Sequence, residues 1–211
     1  METNPGVVLV AAGEGRRFGG PKGAVELLGK PLVERAAAVF AGMADRVAVL
    51  RTEELDRFDL PGWKRVAGGR RRRDSVARGL AALDPGTTLV LVHDAARPLV
   101  TKELVERVLR AAAGADAVVP GIPVADTIKR VEGARVVETP DRATLVAVQT
   151  PQAFRVPLLR RALESSPGDA TDDAALVEAL GEPVVVVLGD PANLKVTTPL
   201  DLAAARAFLR G

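Results

Sequence analysis

A glycine-rich segment with interspersed basic residues, Ala11 to Lys22, directly follows the first apolar run of the sequence. Glycines allow backbone N–H groups to curl around phosphate oxygens, and Arg17 and Lys22 can neutralise the phosphate charge. Gly13 and Gly15 match the start of a dinucleotide-binding fingerprint, but the third glycine of that fingerprint and the Walker Gly-Lys-Ser/Thr pattern are both missing. The segment therefore suits a polyphosphate without matching either motif, and an ordinary glycine-rich surface turn is the alternative.

The second candidate segment, His93 to Pro98, comes at the end of a buried apolar run. The carboxylate of Asp94 suits Mg²⁺, which takes one or two protein carboxylates together with substrate phosphates. The alternative is that Asp94 only caps the following turn. We interpret His93, the single histidine of the chain, as a hydrogen-bonded structural residue. A Ser-His-Asp triad is not supported, because the sequence has no Gly-x-Ser-x-Gly elbow.

Two further segments carry basic residues, and the one with Lys195 follows a predicted strand. Lys195 could add a third cation to a phosphate site, or it could be a solvated surface charge. The arginine run 70–73 lies between Gly69 and Ser75. We interpret this run as a solvated face, Arg71 included, or as part of a site for a small anionic ligand. Nucleic-acid binding is disfavoured, because aromatic residues make up only 3% of the chain and none interrupts the arginines.

Composition excludes several classes of site. The chain has 211 residues, enough for a single domain with a substantial core, and its net charge is +2. The absence of cysteine excludes disulfides, thiol nucleophiles and cysteine-ligated metals, and the single histidine excludes a multi-histidine metal site. No apolar run approaches the roughly 18 residues of a membrane span, and the N-terminus lacks the basic region of a signal peptide. We therefore expect a cytoplasmic protein that binds neither membranes nor nucleic acid.

The elements that must position these residues alternate between strand and helix. Short apolar runs predict strands at 7–10, 47–50, 89–92, 117–119 and 184–188. Helical spacing of apolar residues predicts helices at 32–40, 74–83, 101–109, where Thr101 can cap the helix, and 200–209. Such alternation predicts an α/β fold in which helices flank a mostly parallel sheet. Ligands of these sheets bind at the carboxyl ends of the strands, which is where the candidate segments lie.

The segment 122–139 interrupts this alternation. Thr127 to Val131 and Arg135 to Thr139 have strand composition, and Glu132-Gly133 between them suits a hairpin turn. An isolated hairpin is only marginally stable, so this one must pack on something, for which a second subunit is one candidate.

Motifs from nearly the whole chain form an ordered set. They are Ala11 to Arg17 with Pro21-Lys22, Gly68-Gly69 with Asp74-Ser75, His93 to Pro98, Asp126-Thr127, Asp141-Arg142, Gln149 to Gln152, Thr171 to Asp173, and Asn193 to Thr197. In this order they resemble the cytidylyltransferases that act on sugar-alcohol phosphates. The chain is most similar to the family of 2-C-methyl-D-erythritol 4-phosphate cytidylyltransferases of the non-mevalonate isoprenoid pathway.

This resemblance implies a Rossmann-like nucleotidyltransferase fold with a protruding β-hairpin arm, at 122–139, that joins a homodimer within one 1–211 domain. It also implies Mg²⁺ as cofactor, with CTP and a polyol phosphate as substrates. The implied catalytic residues are Arg17, Lys22 and Lys195. The implied nucleotide-binding residues are Ala12, Gly13, Gly15, Gly69, Ser75 and Asp94, of which Asp94 also lies beside the metal. The implied acceptor-binding residues are Arg97, Thr127 and Arg142, the last two from the partner's arm.

Some positions depart from the family pattern. Gly23 and Ala24 stand where the family usually has Gln and an aromatic residue, so we expect different packing beneath the phosphate loop, the glycine-rich segment from Ala11 to Lys22. Arg70 and Ala192 replace residues that are commonly acidic, and Val146 replaces a common Trp. None of these changes removes a cation from the implied reaction centre.

The implied reaction is attack of a substrate phosphate on the α-phosphorus of CTP, which needs positioning and charge stabilisation rather than a general base. Three alternatives stay open on the sequence alone. The acceptor could be ribitol 5-phosphate or another polyol phosphate. The chain could instead be a non-catalytic nucleotide-binding protein. A nucleotide-dependent oxidoreductase is the third, and the missing third glycine speaks against it.

Overall fold

The computed structural model describes residues 4–13, 24–165 and 172–210. The strands are β1 Pro5–Val10, β2 Glu26–Leu27, β3 Lys30–Pro31, β4 Asp45–Leu50, β5 Lys64–Ala67, β6 Leu89–Asp94, β7 Ala117–Pro123, β8 Arg130–Glu132, β9 Arg135–Glu138, β10 Val146–Val148, β11 Gln152–Arg155 and β12 Val185–Leu188. The α-helices are α1 Leu32–Ala38, α2 Arg72–Ala81, α3 Lys102–Ala111, α4 Val156–Ser165, α5 Asp173–Glu178 and α6 Pro199–Arg210.

The main sheet has eight strands, seven of them in the order β10-β7-β11-β6-β1-β4-β5, and the eighth, β12, also pairs with β7. The strand pairs β1–β4, β1–β6, β4–β5 and β7–β12 are parallel. The inserted strand β11 runs antiparallel to both β6 and β7, and β10 runs antiparallel to β7. The prediction of a mostly parallel sheet is therefore confirmed, with an antiparallel insertion that the apolar pattern of the sequence did not indicate.

Helices cover both faces of this sheet, because successive side chains of a strand point to opposite faces. On β1, Val7 and Leu9 face the cluster that contains residues of α1 and α3. Val8 faces the other cluster, which contains residues of α2, α4 and α5. A smaller cluster packs α6 against the β2–β3 region. None of the helices in the described ranges is both long and apolar enough to cross a membrane.

The hairpin predicted within 122–139 is present as β8 and β9, which form a two-stranded sheet of their own. Its turn contains Gly133, whose positive φ of 57° favours glycine. The first strand is shorter than predicted, since 127–129 lies outside it. Two apolar side chains of the hairpin, Val131 and Val136, are 54% and 52% exposed, so one face of the arm has no cover within the described residues.

Candidate active site

The carboxyl ends of the parallel strands bring the distant candidate segments together. Asp94, the last residue of β6, lies opposite Val10, the last residue of β1. The contact between the two strands continues one residue past Asp94, because the N–H of Ala95 donates to the carbonyl of Val10. Lys195 reaches the same place from the loop after β12. The sheet thus places the end of β1, Asp94 and Lys195 at one edge, as predicted.

Asp94 lies between two cations. The Nζ of Lys195 is 2.5 Å from its Oδ2, and the Nη2 of Arg72 is 3.2 Å from its Oδ1. Burial alone would raise the pKa of the Asp94 carboxyl, but the charges of Arg72 and Lys195 outweigh it and hold that pKa well below its usual range. Asp94 is therefore an anion at any physiological pH.

The segment from Gly68 to Ser75 packs directly on the end of β1. A side chain at Gly68 would place its Cβ 2.2 Å from the Cβ of Ala12, and one at Gly69 would meet the Cβ of Asp74 at 2.3 Å. Both positions therefore require glycine. Ser75 is buried, accepts a hydrogen bond from the N–H of Gly69 at 3.0 Å and donates to the carbonyl of Arg71. Its hydroxyl thus shapes the loop in which the resemblance implies that Gly69 and Ser75 bind the nucleotide.

Among residues 4–13, 24–165 and 172–210, none has a heavy atom within 4 Å of a Cβ added at Gly13. This result is compatible with the predicted nucleotide contact of Gly13, as is the position of Ala12 beside Gly68. The other predicted residues of the phosphate loop, Gly15, Arg17 and Lys22, lie outside the described residues, so their roles stay predictions.

A network of buried polar groups holds the loop that carries Lys195. Arg97 donates from Nη1 to the carbonyl of Asn193 at 2.7 Å and from Nη2 to that of Val148 at 3.3 Å. Gln149 donates to the carbonyl of Asp190 and accepts from its N–H, at 2.8 and 3.0 Å. Arg97, predicted to orient substrate, therefore also positions the Lys195 loop.

His93 is a structural residue, as predicted. It is fully buried, with its Nδ1 3.0 Å from Thr150 Oγ1 and its Nε2 3.2 Å from the carbonyl of Arg97. Burial lowers the pKa of His93 to about 4, so the ring is neutral at neutral pH. Its Nε2 must carry the proton, because a carbonyl can only accept. Thr150 then donates to Nδ1 and accepts from the N–H of Asp94 at 3.1 Å, which fixes the end of β6.

Thr127 and Arg142 lie on the hairpin side of the molecule, and both are exposed. Arg142 donates to the carbonyl of Ala125 at 2.7 Å, so the two predicted acceptor-binding residues belong to neighbouring segments. No described contact connects either of them to Asp94 of the same chain. This placement is compatible with the prediction that they serve the site of a partner.

Sequence reasoning missed Arg72 and Asp173. The interpretation of the arginine run as a solvated face is wrong for Arg72, whose side chain is 26% exposed and ion-paired to Asp94 and Asp173. Arg71 is closer to that interpretation, since it is partly exposed and pairs with Asp74 at the start of α2. The Thr171 to Asp173 motif had drawn attention to Asp173, but only folding could show its partner.

The described residues offer few metal-binding groups at this site. Across the ranges 4–13, 24–165 and 172–210, no cluster of three or more His, Cys, Asp or Glu side chains could form a complete metal site. Asp94 offers one carboxylate at the site. That donor set suits an ion bound mainly through substrate phosphates.

Comparisons with known proteins agree with this geometry. The model of the family described as "IspD: 2-C-methyl-D-erythritol 4-phosphate cytidylyltransferase" matches residues 6–211. The chain is 50% identical to the 2-C-methyl-D-erythritol 4-phosphate cytidylyltransferase of Rhodococcus jostii (strain RHA1), with 97% of this chain and 95% of that protein covered. It is 44% identical to the enzyme of the same name from Corynebacterium efficiens, with 94% and 90% covered.

Solved structures give the same result. The crystal structure of 2-C-methyl-D-erythritol 4-phosphate cytidylyltransferase from Thermus thermophilus matches with a TM-score of 0.86 at 40% identity, and the match covers 100% of both chains. That of 4-diphosphocytidyl-2C-methyl-D-erythritol synthase from Anaerococcus prevotii matches with a TM-score of 0.86 at 30% identity over 99% of both chains. The chain therefore belongs to the 2-C-methyl-D-erythritol 4-phosphate cytidylyltransferase family, whose Rossmann-like nucleotidyltransferase fold it shares.

Proposed function

We infer that this chain is an enzyme that transfers CMP from CTP to 2-C-methyl-D-erythritol 4-phosphate. The products are 4-diphosphocytidyl-2-C-methyl-D-erythritol and pyrophosphate. The family match over nearly the full chain favours this acceptor over ribitol 5-phosphate and favours an enzyme over a non-catalytic protein. The observation that carries the inference at the site is the ion pair of Lys195 and Asp94, 2.5 Å apart at the carboxyl edge of the sheet beside the end of β1.

The reaction is one in-line displacement at phosphorus. An oxygen of the acceptor phosphate forms a bond to the α-phosphorus of CTP, and the bond from that phosphorus to the oxygen bridging to the β-phosphate breaks. The bonding electrons leave with pyrophosphate. A phosphate monoester is largely ionised at neutral pH, so no residue has to remove a proton from the nucleophile. The neutral, buried His93 is accordingly not needed as a base.

Lys195 is the described cation best placed to stabilise this displacement. Its ammonium is a compact charge on a flexible stem, so it can exchange Asp94 for a phosphate oxygen during the transfer step. Negative charge shifts across the α-phosphate and the leaving group during transfer, and a cation placed there strengthens its interaction as that charge develops. Arg17 and Lys22 are proposed to supply further positive charge from the phosphate loop.

Mg²⁺ is the proposed cofactor. An ionised carboxylate accepts hydrogen bonds at about four lone-pair positions, so Asp94 can serve its two cations and still contact a metal ion. Asp94 would hold the ion together with oxygens of the triphosphate, as is usual for Mg²⁺. When bound, the ion would supply neutralisation of triphosphate charge.

The remaining proposals concern the substrates and the assembly. Gly69 and Ser75 shape the segment proposed to read cytosine, and Arg97 lies beside the loop of Lys195, from where it can meet the acceptor. Thr127 and Arg142 are proposed to reach the acceptor in the partner subunit of a homodimer. A cytoplasmic location, expected from the sequence, stays a prediction.

Substrate choice provides the test of function. With Mg²⁺ and CTP, we expect rapid pyrophosphate release with 2-C-methyl-D-erythritol 4-phosphate and at least roughly 10-fold slower release with ribitol 5-phosphate, a loss of about 1.4 kcal/mol. UTP in place of CTP should be turned over far more slowly, because a base pocket built from fixed backbone groups rejects an inverted donor and acceptor edge. A coupled pyrophosphate assay measures both ratios. Faster turnover with ribitol 5-phosphate would contradict the acceptor, and equal turnover with UTP would contradict the base pocket.

The hairpin provides a separate test of assembly. We expect light scattering to show a dimer, and we expect the double substitution Val131→Asp and Val136→Asp to give a monomer of much lower activity. The reason is that the substitutions remove the exposed apolar side chains that the partner would cover, and dimer formation would then bury two charges at the interface. Leu200→Asp on α6, where the native side chain is 78% exposed, is the control and should change neither property. A fully active monomer would overturn both the arm and the shared site.

A further inference from the structure

Arg72 joins two carboxylates that no other described side chain connects. Its Nη2 and Nε lie 3.2 and 3.3 Å from Oδ1 of Asp94, and its Nη1 lies 2.8 Å from Oδ2 of Asp173. Asp94 in turn contacts Lys195 through its other oxygen. The four side chains therefore form a continuous series, Asp173–Arg72–Asp94–Lys195, with two positive and two negative charges.

The series connects three elements of the fold. Arg72 and Asp173 are the first residues of α2 and α5, which pack on the same face of the sheet, and Asp94 ends β6. The side chain of Asp173 is only 1% exposed, and burial raises the pKa of its carboxyl against the charge of Arg72. Among the described residues, Arg72 is the cation that contacts the carboxylate of Asp173. Its planar guanidinium fixes the distance between Asp173 and Asp94.

The charge of Arg72 affects how strongly Asp94 binds Lys195. Asp94 shares its charge between two cations, so neither cation has the whole carboxylate. Without Arg72, Lys195 would be the single cation described at Asp94, and the ion pair would be tighter before substrate binds. Since Lys195 must leave Asp94 to meet the phosphates, a tighter ground-state pair opposes catalysis.

We propose that Arg72, held in place by Asp173, is a positioning residue that keeps Asp94 fixed and takes a share of its charge, so that Lys195 can exchange Asp94 for the reacting phosphates. The proposal rests on the proposed function, because it concerns the transfer step. Arg72 acts through Asp94 and Lys195 and does not itself have to touch substrate.

Two substitutions test the geometry. Arg72→Lys keeps the charge but cannot contact both carboxylates with a planar fork, and Arg72→Gln removes the charge. We expect kcat to fall by roughly 10-fold for Arg72→Lys and further for Arg72→Gln. Circular dichroism and thermal unfolding show which variants are folded, and calorimetric titration with CTP measures ground-state affinity. We expect the CTP dissociation constant to change by less than about 3-fold in a folded variant, since the effect lies in the transfer step.

A double-mutant cycle separates positioning from a merely structural role. If Arg72 acts through Lys195, either substitution should lower kcat by less than about 2-fold in a Lys195→Ala background. A structural role would instead lower kcat by the same factor in both backgrounds, and this result would overturn the proposal. The matched control is Arg110→Ala, which removes an exposed arginine from the last turn of α3 and should leave kcat unchanged in both backgrounds.

The same experiment distinguishes the two levels of inference. Absence of pyrophosphate release by the unaltered enzyme with all acceptors would refute the proposed function. An active unaltered enzyme with multiplicative effects in the cycle, or with unchanged kcat in both folded Arg72 variants, would refute only the role of Arg72.

Discussion

Replacing Lys195 with alanine is expected to lower kcat by roughly 10²–10³-fold, the scale for the loss of one preorganised charge or donor. In the structure Lys195 neutralises part of Asp94, and Arg72 can keep that carboxylate paired when the lysine is removed. The fold should therefore persist while the transition state loses a cation. Steady-state kinetics, with circular dichroism to confirm folding, measure the effect.

Whether Lys195→Ala changes kcat or KM tests the role assigned to Lys195. A rise in KM for CTP with unchanged kcat would mean that Lys195 contributes equally to substrate and transition state, which would contradict its assigned role. Lys102→Ala is the matched control, because that lysine is 77% exposed at the start of α3, and it should have no effect. Arg17→Ala and Lys22→Ala are expected to lower kcat by a similar factor.

Replacing Asp94 with asparagine is expected to lower kcat/KM by roughly 10²-fold or more. The amide keeps the shape of the side chain but removes the charge that Arg72 and Lys195 share. Those two cations would then face each other without their common anion, and the proposed Mg²⁺ would lose its carboxylate. Because Arg72 keeps Asp173 as a partner, we expect the free energy of unfolding to fall by only about 1–3 kcal/mol.

Kinetics at several Mg²⁺ concentrations, together with urea unfolding, test this second expectation. A higher Mg²⁺ requirement in Asp94→Asn would support the metal assignment. Activity within about 3-fold of the unaltered enzyme at all Mg²⁺ concentrations would show that Asp94 is a turn-capping residue, which was the alternative interpretation of its sequence position.

Local patterns in the sequence were sufficient for the centre of the fold. The runs at 7–10, 47–50 and 89–92 are apolar at every position, which is typical of strands buried on both faces, and they form β1, β4 and β6. Thr101 caps α3 by accepting from the N–H of Leu104, as its position before the helix predicts. Once these elements form a parallel sheet, the position of the site follows from strand direction alone.

Elements without such patterns were missed. The strand β5 has charged residues and no buried side chain in its pattern, and β11 begins and ends with polar residues. Gln152 to Arg155 becomes a strand because β6 and β7 provide backbone partners on both sides. Neighbouring strands of this kind are distant in sequence, so no local spacing indicates them.

The sequence by itself determined the alternation of strand and helix, the hairpin, the position of the site and, through the ordered motifs, the family. Only the tertiary structure decided how the charges pair. Asp94 meets Arg72 across 22 residues and Lys195 across 101, and within one run Arg71 stays partly exposed while Arg72 turns inward. The reason is physical: apolar periodicity is a property of neighbouring residues, whereas the partner of a buried charge depends on which elements folding packs together.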